Sequence, residues 1–111
     1  MKYLSKKITI DGIEFDSKKE GLHYQELKKL EKQGKISNLE LQPSFVLQER
    51  FKRDGKTYRP ITYIADFKYV EDGKVIVEDV KSYFTAKNEV YKIKKKMLLY
   101  KYDGFEFREV I

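Results

Sequence analysis

Asp66, Asp79 and Lys81 interrupt two runs that otherwise read as buried sheet, within "YIADFKYVEDGKVIVEDVKS" from Tyr63 to Ser82. Residues two apart on a strand share a face, so Asp79 and Lys81 point the same way. Asp72-Gly73 separates the runs and suits a two-residue hairpin turn, which needs positive φ at both positions. That turn sets Asp66 on the neighbouring strand opposite Asp79. Like charges directly opposed weaken a sheet unless something compensates. A divalent cation would compensate, with Lys81 assisting. Paired carboxylates offer the oxygen ligands that Mg2+ takes. A cation held there can acidify water and neutralise charge developing on a phosphate. A lysine beside it can orient or help deprotonate the attacking water, or stabilise transition-state charge. The combination suits phosphodiester hydrolysis. The competing reading is a ladder of Asp-Lys salt bridges on a solvated face, because D-x-K alone is a common tripeptide. The hairpin register and the apolar flanks favour the metal site.

Glu20 is a further candidate. Ser17 and Glu20 have the spacing of a capping box, which gives the glutamate a purely structural role. On a helical wheel Glu20 also falls about 20° from Leu27, on the side expected to face the sheet. Capping and metal ligation are compatible.

The elements that must position these residues are also legible. Asp11-Gly12, Asp54-Gly55 and Asp72-Gly73 each lie between strand-like runs. They predict the hairpins "KKITI" with "IEF", "SFVLQERF" with "TYRPITYIADFKYV", and the latter with "KVIVEDVK". Pro60 marks a bulge or a break between two strands. A helix is predicted from about Lys18 to Gln33, stopped by Gly34, with His23, Tyr24, Leu27 and Leu30 on its apolar face. A second is predicted from about Lys87 to Tyr102, with Val90, Ile93, Met97 and Tyr100 as its apolar stripe and Asp103-Gly104 as its end. "FEFREVI" alternates like a final strand suited to an edge. The order is hairpin, helix, three-stranded meander, helix, strand. That predicts one α/β or α+β domain over residues 1–111, with a mixed central sheet and two flanking helices.

Composition narrows the function classes. Lys and Arg number 24 against 18 Asp and Glu, a net charge of +6 that favours an anionic partner, nucleic acid above all. A charge of this size also serves solubility. The chain has no cysteine and a single histidine, His23, so thiolate metal sites, disulfides and multi-histidine zinc sites are excluded. No apolar run approaches a membrane span and no signal-peptide pattern opens the chain, so no membrane partner and a cytoplasmic location are expected.

A helix glutamate, an aspartate ending a strand, then D-x-K on the next strand: this set resembles the PD-(D/E)xK nuclease superfamily. That superfamily includes type II restriction enzymes and archaeal-type Holliday junction resolvases. The fuller wording is "GIEFDSKKEGLHYQELKKLEKQGKISNLELQP", "YIADFKYVEDGKVIVEDVKS" and "YKIKKKMLLYKY". It resembles a family of small phage and prophage proteins regarded as nucleases of this fold, over nearly the whole chain. The resemblance implies a restriction-endonuclease-like sheet. It makes Asp66 the first acid, Asp79 the second, Lys81 the motif lysine and Glu20 the helix glutamate. Ala65 stands where the superfamily name has proline, a position that varies. Ser82 stands where such phage sequences commonly have glycine, which bears on the following loop. The resemblance implies Mg2+ or Mn2+ held by Asp66, Asp79 and Glu20. It also extends to structure-selective action on branched DNA in phage recombination or packaging, in a bacterial host that is phage-infected or carries the prophage.

Other residues are candidates for the nucleic acid. Gln42 stands just before Pro43, and similar nucleases often carry a Gln-Pro step near the site. A polar residue closing a strand is the alternative. Lys92, Lys95 and Lys96 share one side of the second helix and could meet a phosphate backbone. By the resemblance, Lys92 or Lys95 could assist the site. A solvated helix face is the alternative. Lys52, Arg53, Lys56 and Arg59 surround the Asp54-Gly55 turn, where a projecting hairpin could grip DNA or simply be soluble.

The sequence is thus read as a Mg2+- or Mn2+-dependent endodeoxyribonuclease, dimeric because one chain is too small to enclose a duplex. A non-catalytic module of the same fold, holding nucleic acid or a phage protein, is the alternative. A structural phage protein with an acidic salt-bridge network is a third reading.

Overall fold

A computed structural model of the chain describes residues 6–111. In chain order its elements are β1 (Ile8–Ile10), β2 (Ile13–Phe15), α1 (Lys18–Lys32), β3 (Ser37–Leu41), β4 (Ser44–Gln48), β5 (Phe51–Arg53), β6 (Lys56–Tyr58), β7 (Ile61–Ile64), β8 (Phe67–Glu71), β9 (Lys74–Val80), α2 (Glu89–Lys101) and β10 (Glu106–Val110). A single 3-10 turn, Thr85–Lys87, precedes α2. No helix among the described residues is long and apolar enough to cross a membrane.

Each of the three Asp-Gly pairs makes the expected hairpin turn, with both residues at positive φ, as at Asp72 (51°) and Gly73 (77°). The resulting hairpins are β1-β2, β5-β6 and β8-β9. The central sheet has the order β10-β9-β8-β3. β10 runs parallel to β9, while β9-β8 and β8-β3 are antiparallel, so the sheet is mixed. With two helices packed against it, the fold is α+β.

Alternation along β9 sends Ile76 and Val77 into two different cores. Ile76 joins Phe15, Tyr24, Leu27, Phe67 and Tyr69 under α1. Val77 joins Leu47, Tyr63, Ala65 and Leu98 under α2. The Ser17 hydroxyl caps α1 by accepting from the Glu20 amide at 3.1 Å. Gly21, in the first turn, lets the β1-β2 hairpin close onto the helix. A Cβ there would come within 2.7 Å of Ile8 Cγ2.

Two expectations need correction. The anticipated three-stranded meander is divided. β4 pairs with β7 as a separate two-stranded unit, β5 pairs with β6, and β3 and β10 complete the sheet around β8-β9. Pro60 lies in the break between β6 and β7. The apolar stripe of α2 is also misplaced. Val90, Ile93 and Tyr100 are exposed, Tyr100 at 94 %, and only Met97 of that set packs on the core. The packed face is Tyr91, Leu98 and Tyr102, with Met97 at its margin. Its tyrosines hold it down by hydrogen bonds, Tyr91 to Glu109 at 2.5 Å and Tyr102 to the Val46 carbonyl at 2.7 Å. A hydropathy stripe gives no weight to such polar tips.

Candidate active site

Tyr63 and Ala65 point into the α2 core, yet Phe67 and Tyr69 point into the α1 core. All four positions are odd, so a regular strand would keep them on one face. The chain switches faces at Asp66, between β7 and β8. The neighbouring chain breaks at the same level. Gln42 sits at φ 51° between β3 and β4, and its amide donates to the Asp66 carbonyl at 2.9 Å. The Ala65 amide donates to the Pro43 carbonyl at 3.0 Å. This bend delivers the Asp66 side chain to the end of the sheet. Gln42 contributes there through its backbone, and its side chain is exposed.

The hairpin register is the one the turn dictates. Phe67 pairs with Glu78, and one step further the Asp66 amide donates to the Glu78 carbonyl at 3.0 Å. The Asp66 amide is also 3.1 Å from Asp79 Oδ1. The two carboxylates nevertheless diverge. Asp66 Oδ2 accepts from the Val80 amide at 2.7 Å, and its carboxyl group meets that of Glu20 in hydrogen-bonding contact. Asp79 is 1 % exposed and takes the Tyr63 hydroxyl on Oδ2.

Lys81 joins the two halves. It lines a cleft of about 390 Å3 with Glu20, Asp66, Asp16 and Lys19. It also lines a second cleft, of about 340 Å3, with Asp79, Tyr63, Tyr91 and Lys94. Its ammonium lies over the Tyr91 ring, 4.7 Å from the centroid.

Burial and mutual repulsion set the protonation of this cluster. Burial first, then the charge of Asp66, pushes Glu20 up to about 7. Burial raises Asp66, opposed by the Val80 amide and by Lys81. Burial likewise pushes Asp79 up to about 6, with Lys81 opposing. Glu20 and Asp66 thus form a carboxyl-carboxylate pair that shares a proton readily. Glu20 is not spent on capping, since the cap bond runs through its amide and leaves its carboxyl facing Asp66. Oxygen donors of this kind suit a hard divalent cation. Among the described residues no three acidic or imidazole groups already converge as a ligand set. Glu20 and Asp66 are in contact, and Asp79 lies behind the Asp66 amide.

Residues not singled out from the sequence complete the surroundings. Glu109 pairs in parallel register with Asp79. It accepts from Tyr91 and, at 3.3 Å, from Lys95, which hold its carboxyl below the usual range. A register between parallel strands is not set by a turn, so only the alternation of "FEFREVI" pointed here. Lys94 enters the second cleft because it lies on the same face as Tyr91 and Leu98.

The predicted lysines of α2 are not equivalent. Lys95 is half-buried against Glu109, Lys92 pairs with Glu89 at 3.4 Å, and Lys96 lines a separate groove with Leu47, Met97 and Tyr100. Lys52, Arg53, Lys56 and Arg59 lie on or beside the β5-β6 hairpin, whose residues are all exposed and which packs on no other element among the described residues. Phe51 and Tyr58 stack across it at 4.8 Å and 7°.

The family model described as "Protein of unknown function (DUF1064)" matches residues 1–111. The chain belongs to the DUF1064 family. No curated protein and no solved structure matches it. In this DUF1064 chain the acidic cluster is therefore read from its own geometry.

Proposed function

We propose that the chain is a Mg2+- or Mn2+-dependent endonuclease of PD-(D/E)xK type that hydrolyses DNA phosphodiester bonds. The observation that supports this best is the contact between the Glu20 and Asp66 carboxyl groups, beside Lys81 and in front of buried Asp79. Structure alone gains nothing from holding such groups together, since like charges repel and burial penalises ionisation. A salt-bridge ladder on a solvated face would need Asp79 exposed and Lys81 paired with it. Asp79 is buried and Lys81 lies over an aromatic ring.

Asp66 and Glu20 would hold the cation from the strand end and the helix, with Asp79 as the further ligand. When bound, the cation supplies neutralisation of the phosphate and acidification of the attacking water. Lys81, reaching both clefts, orients the water and stabilises charge as it develops. Glu20 serves as ligand or general base. The Tyr63 hydroxyl fixes the Asp79 carboxylate. The β5-β6 arm, with Lys52, Arg53, Lys56 and Arg59, grips the phosphate backbone away from the cleft. The molecule measures 54 × 41 × 26 Å and would act as a homodimer to embrace a duplex. The phage or prophage setting and the bacterial cytoplasm belong to the same reading.

The test is a cleavage panel of linear, single-stranded, flapped and four-way DNA with Mg2+, Mn2+ or EDTA. Metal-dependent cleavage that Asp79→Asn reduces to background is expected. Cleavage in EDTA contradicts the mechanism, and binding without cleavage of any substrate favours the non-catalytic module.

A further inference from the structure

Directly after Lys81 the chain reads Ser82-Tyr83-Phe84-Thr85. Ser82 and Thr85 close on each other. The Ser82 amide donates to Thr85 Oγ1 at 2.8 Å, the Thr85 amide to Ser82 Oγ at 3.1 Å, and the Ala86 amide to the Ser82 carbonyl at 3.0 Å. Both residues also line the cleft that holds Glu20 and Asp66. A turn pinned this way fixes where the two residues between its ends project. Tyr83 and Phe84 stand at the rim of the cleft, 62 % and 64 % exposed. Their rings meet nearly edge to face, 6.1 Å apart at 80°. The Lys87 ammonium lies 4.1 Å from the Tyr83 centroid. Lys19 lines the same cleft, and its Nζ reaches the Lys81 carbonyl at 3.2 Å.

Two large rings held in solvent beside a functional cleft mark a contact surface. The cations around them, Lys19, Lys81 and Lys87, select an anionic occupant. Flat apolar faces joined to phosphates are what an unpaired nucleotide offers. Bases inside a duplex have their faces covered by their neighbours. We infer that Tyr83 and Phe84 form a stacking platform for an unpaired nucleobase next to the acidic cleft, so that the protein prefers DNA with single-stranded nucleotides at a flap, gap or junction. This rests on the proposed reading of the cleft only for placing the scissile phosphate beside the platform.

The experiment is equilibrium binding in EDTA, where cleavage plays no part. A single-stranded oligonucleotide carrying 2-aminopurine is compared with a blunt duplex of equal length. Wild type should bind the single strand and change its fluorescence. Tyr83→Ala/Phe84→Ala should weaken single-strand binding by roughly ten- to a hundredfold, the range of one missing base stack, with duplex affinity unchanged. Phe84→Trp should restore most of the loss in a Tyr83→Phe background. An unchanged circular dichroism spectrum certifies the fold of each variant. Equal losses on both DNAs, no loss on either, or no single-strand binding by wild type would overturn the platform, the last assigning the rings to a protein partner. Cleavage in Mn2+ is scored separately. Stacking without cleavage keeps the platform and rejects the nuclease, while cleavage without single-strand preference does the reverse.

Discussion

Glu20 ionises near 7 because burial and the neighbouring Asp66 both oppose its charge. Its folded value lies above the ordinary carboxylate value of 4.5. Its contribution to stability is therefore complete below about 4.5 and is lost as pH rises through about 7. Asp79 acts in the same direction, its contribution present below 3.8 and lost as pH rises through about 6. Glu31, Glu106 and Glu109 are held low, so their contributions fade only as pH falls through their depressed values. The metal-free protein should thus melt at lower temperature at about pH 8 than at about pH 5.5, and Glu20→Gln should flatten that slope. Melting that rises with pH over this range would contradict the assignment. A cation must displace the proton that Glu20 and Asp66 share, so the gain in melting temperature from Mg2+ or Mn2+ should be larger at about pH 8 than at about pH 5.5. Both aspartates, Lys81 and Glu20 were legible as chemistry-bearing residues. The divergence of the aspartates was not, because the face switch at Asp66 keeps the odd-numbered apolar pattern unbroken from Tyr63 to Tyr69.

At the scale of elements, three Asp-Gly turns and the Ser17 cap were readable because each is a local conformational requirement. The face that α2 turns inward was not. Leu98 is fully buried while Ile93 is 57 % exposed, although hydropathy ranks Ile93 with the core. Leu98→Ala should cost about 2–5 kcal/mol, whereas Ile93→Ala should stay within about 0.5 kcal/mol. Urea unfolding of the two variants checks this, and equal costs would restore the expected stripe. Gly21 makes a sharper case. Alanine is the better helix former, but its Cβ would press on Ile8 and Ile10, so Gly21→Ala should destabilise by about 1–3 kcal/mol. A stabilised Gly21→Ala would mean that the β1-β2 hairpin does not pack on α1.

At the scale of the whole molecule, the net charge of +6 is spread unevenly. The β5-β6 arm carries basic residues on a hairpin that no other element supports among the described residues. An isolated two-stranded hairpin is marginal in water, which suits a part ordered by what it holds. Replacing Lys52, Arg53, Lys56 and Arg59 by alanine should leave melting unchanged. It should weaken binding to all DNA sequences alike and flatten the salt slope by about 0.9 for each phosphate that the arm no longer neutralises. A drop in melting temperature would show the arm to be structural, and an unchanged salt slope would show it to be merely solvated. The sequence announced this arm through its turn and its charges. Its isolation from the sheet depended on the break at Pro60 and on the separate pairing of β4 with β7, which involve distant residues.

The central claim is that Glu20, Asp66 and Asp79 are held together to receive a divalent cation. Thermal unfolding of wild type and Asp66→Asn at about pH 8, each with and without Mn2+, tests it most directly. The carboxamide introduced by Asp66→Asn can accept from the Val80 amide and donate to Glu20, so the metal-free variant should be as stable as wild type or more so. Wild type should gain about 2.7 kcal/mol at a Mn2+ concentration a hundredfold above its Kd, and the variant should lose most of that gain. A less stable metal-free variant, together with a wild type indifferent to Mn2+, would contradict the account.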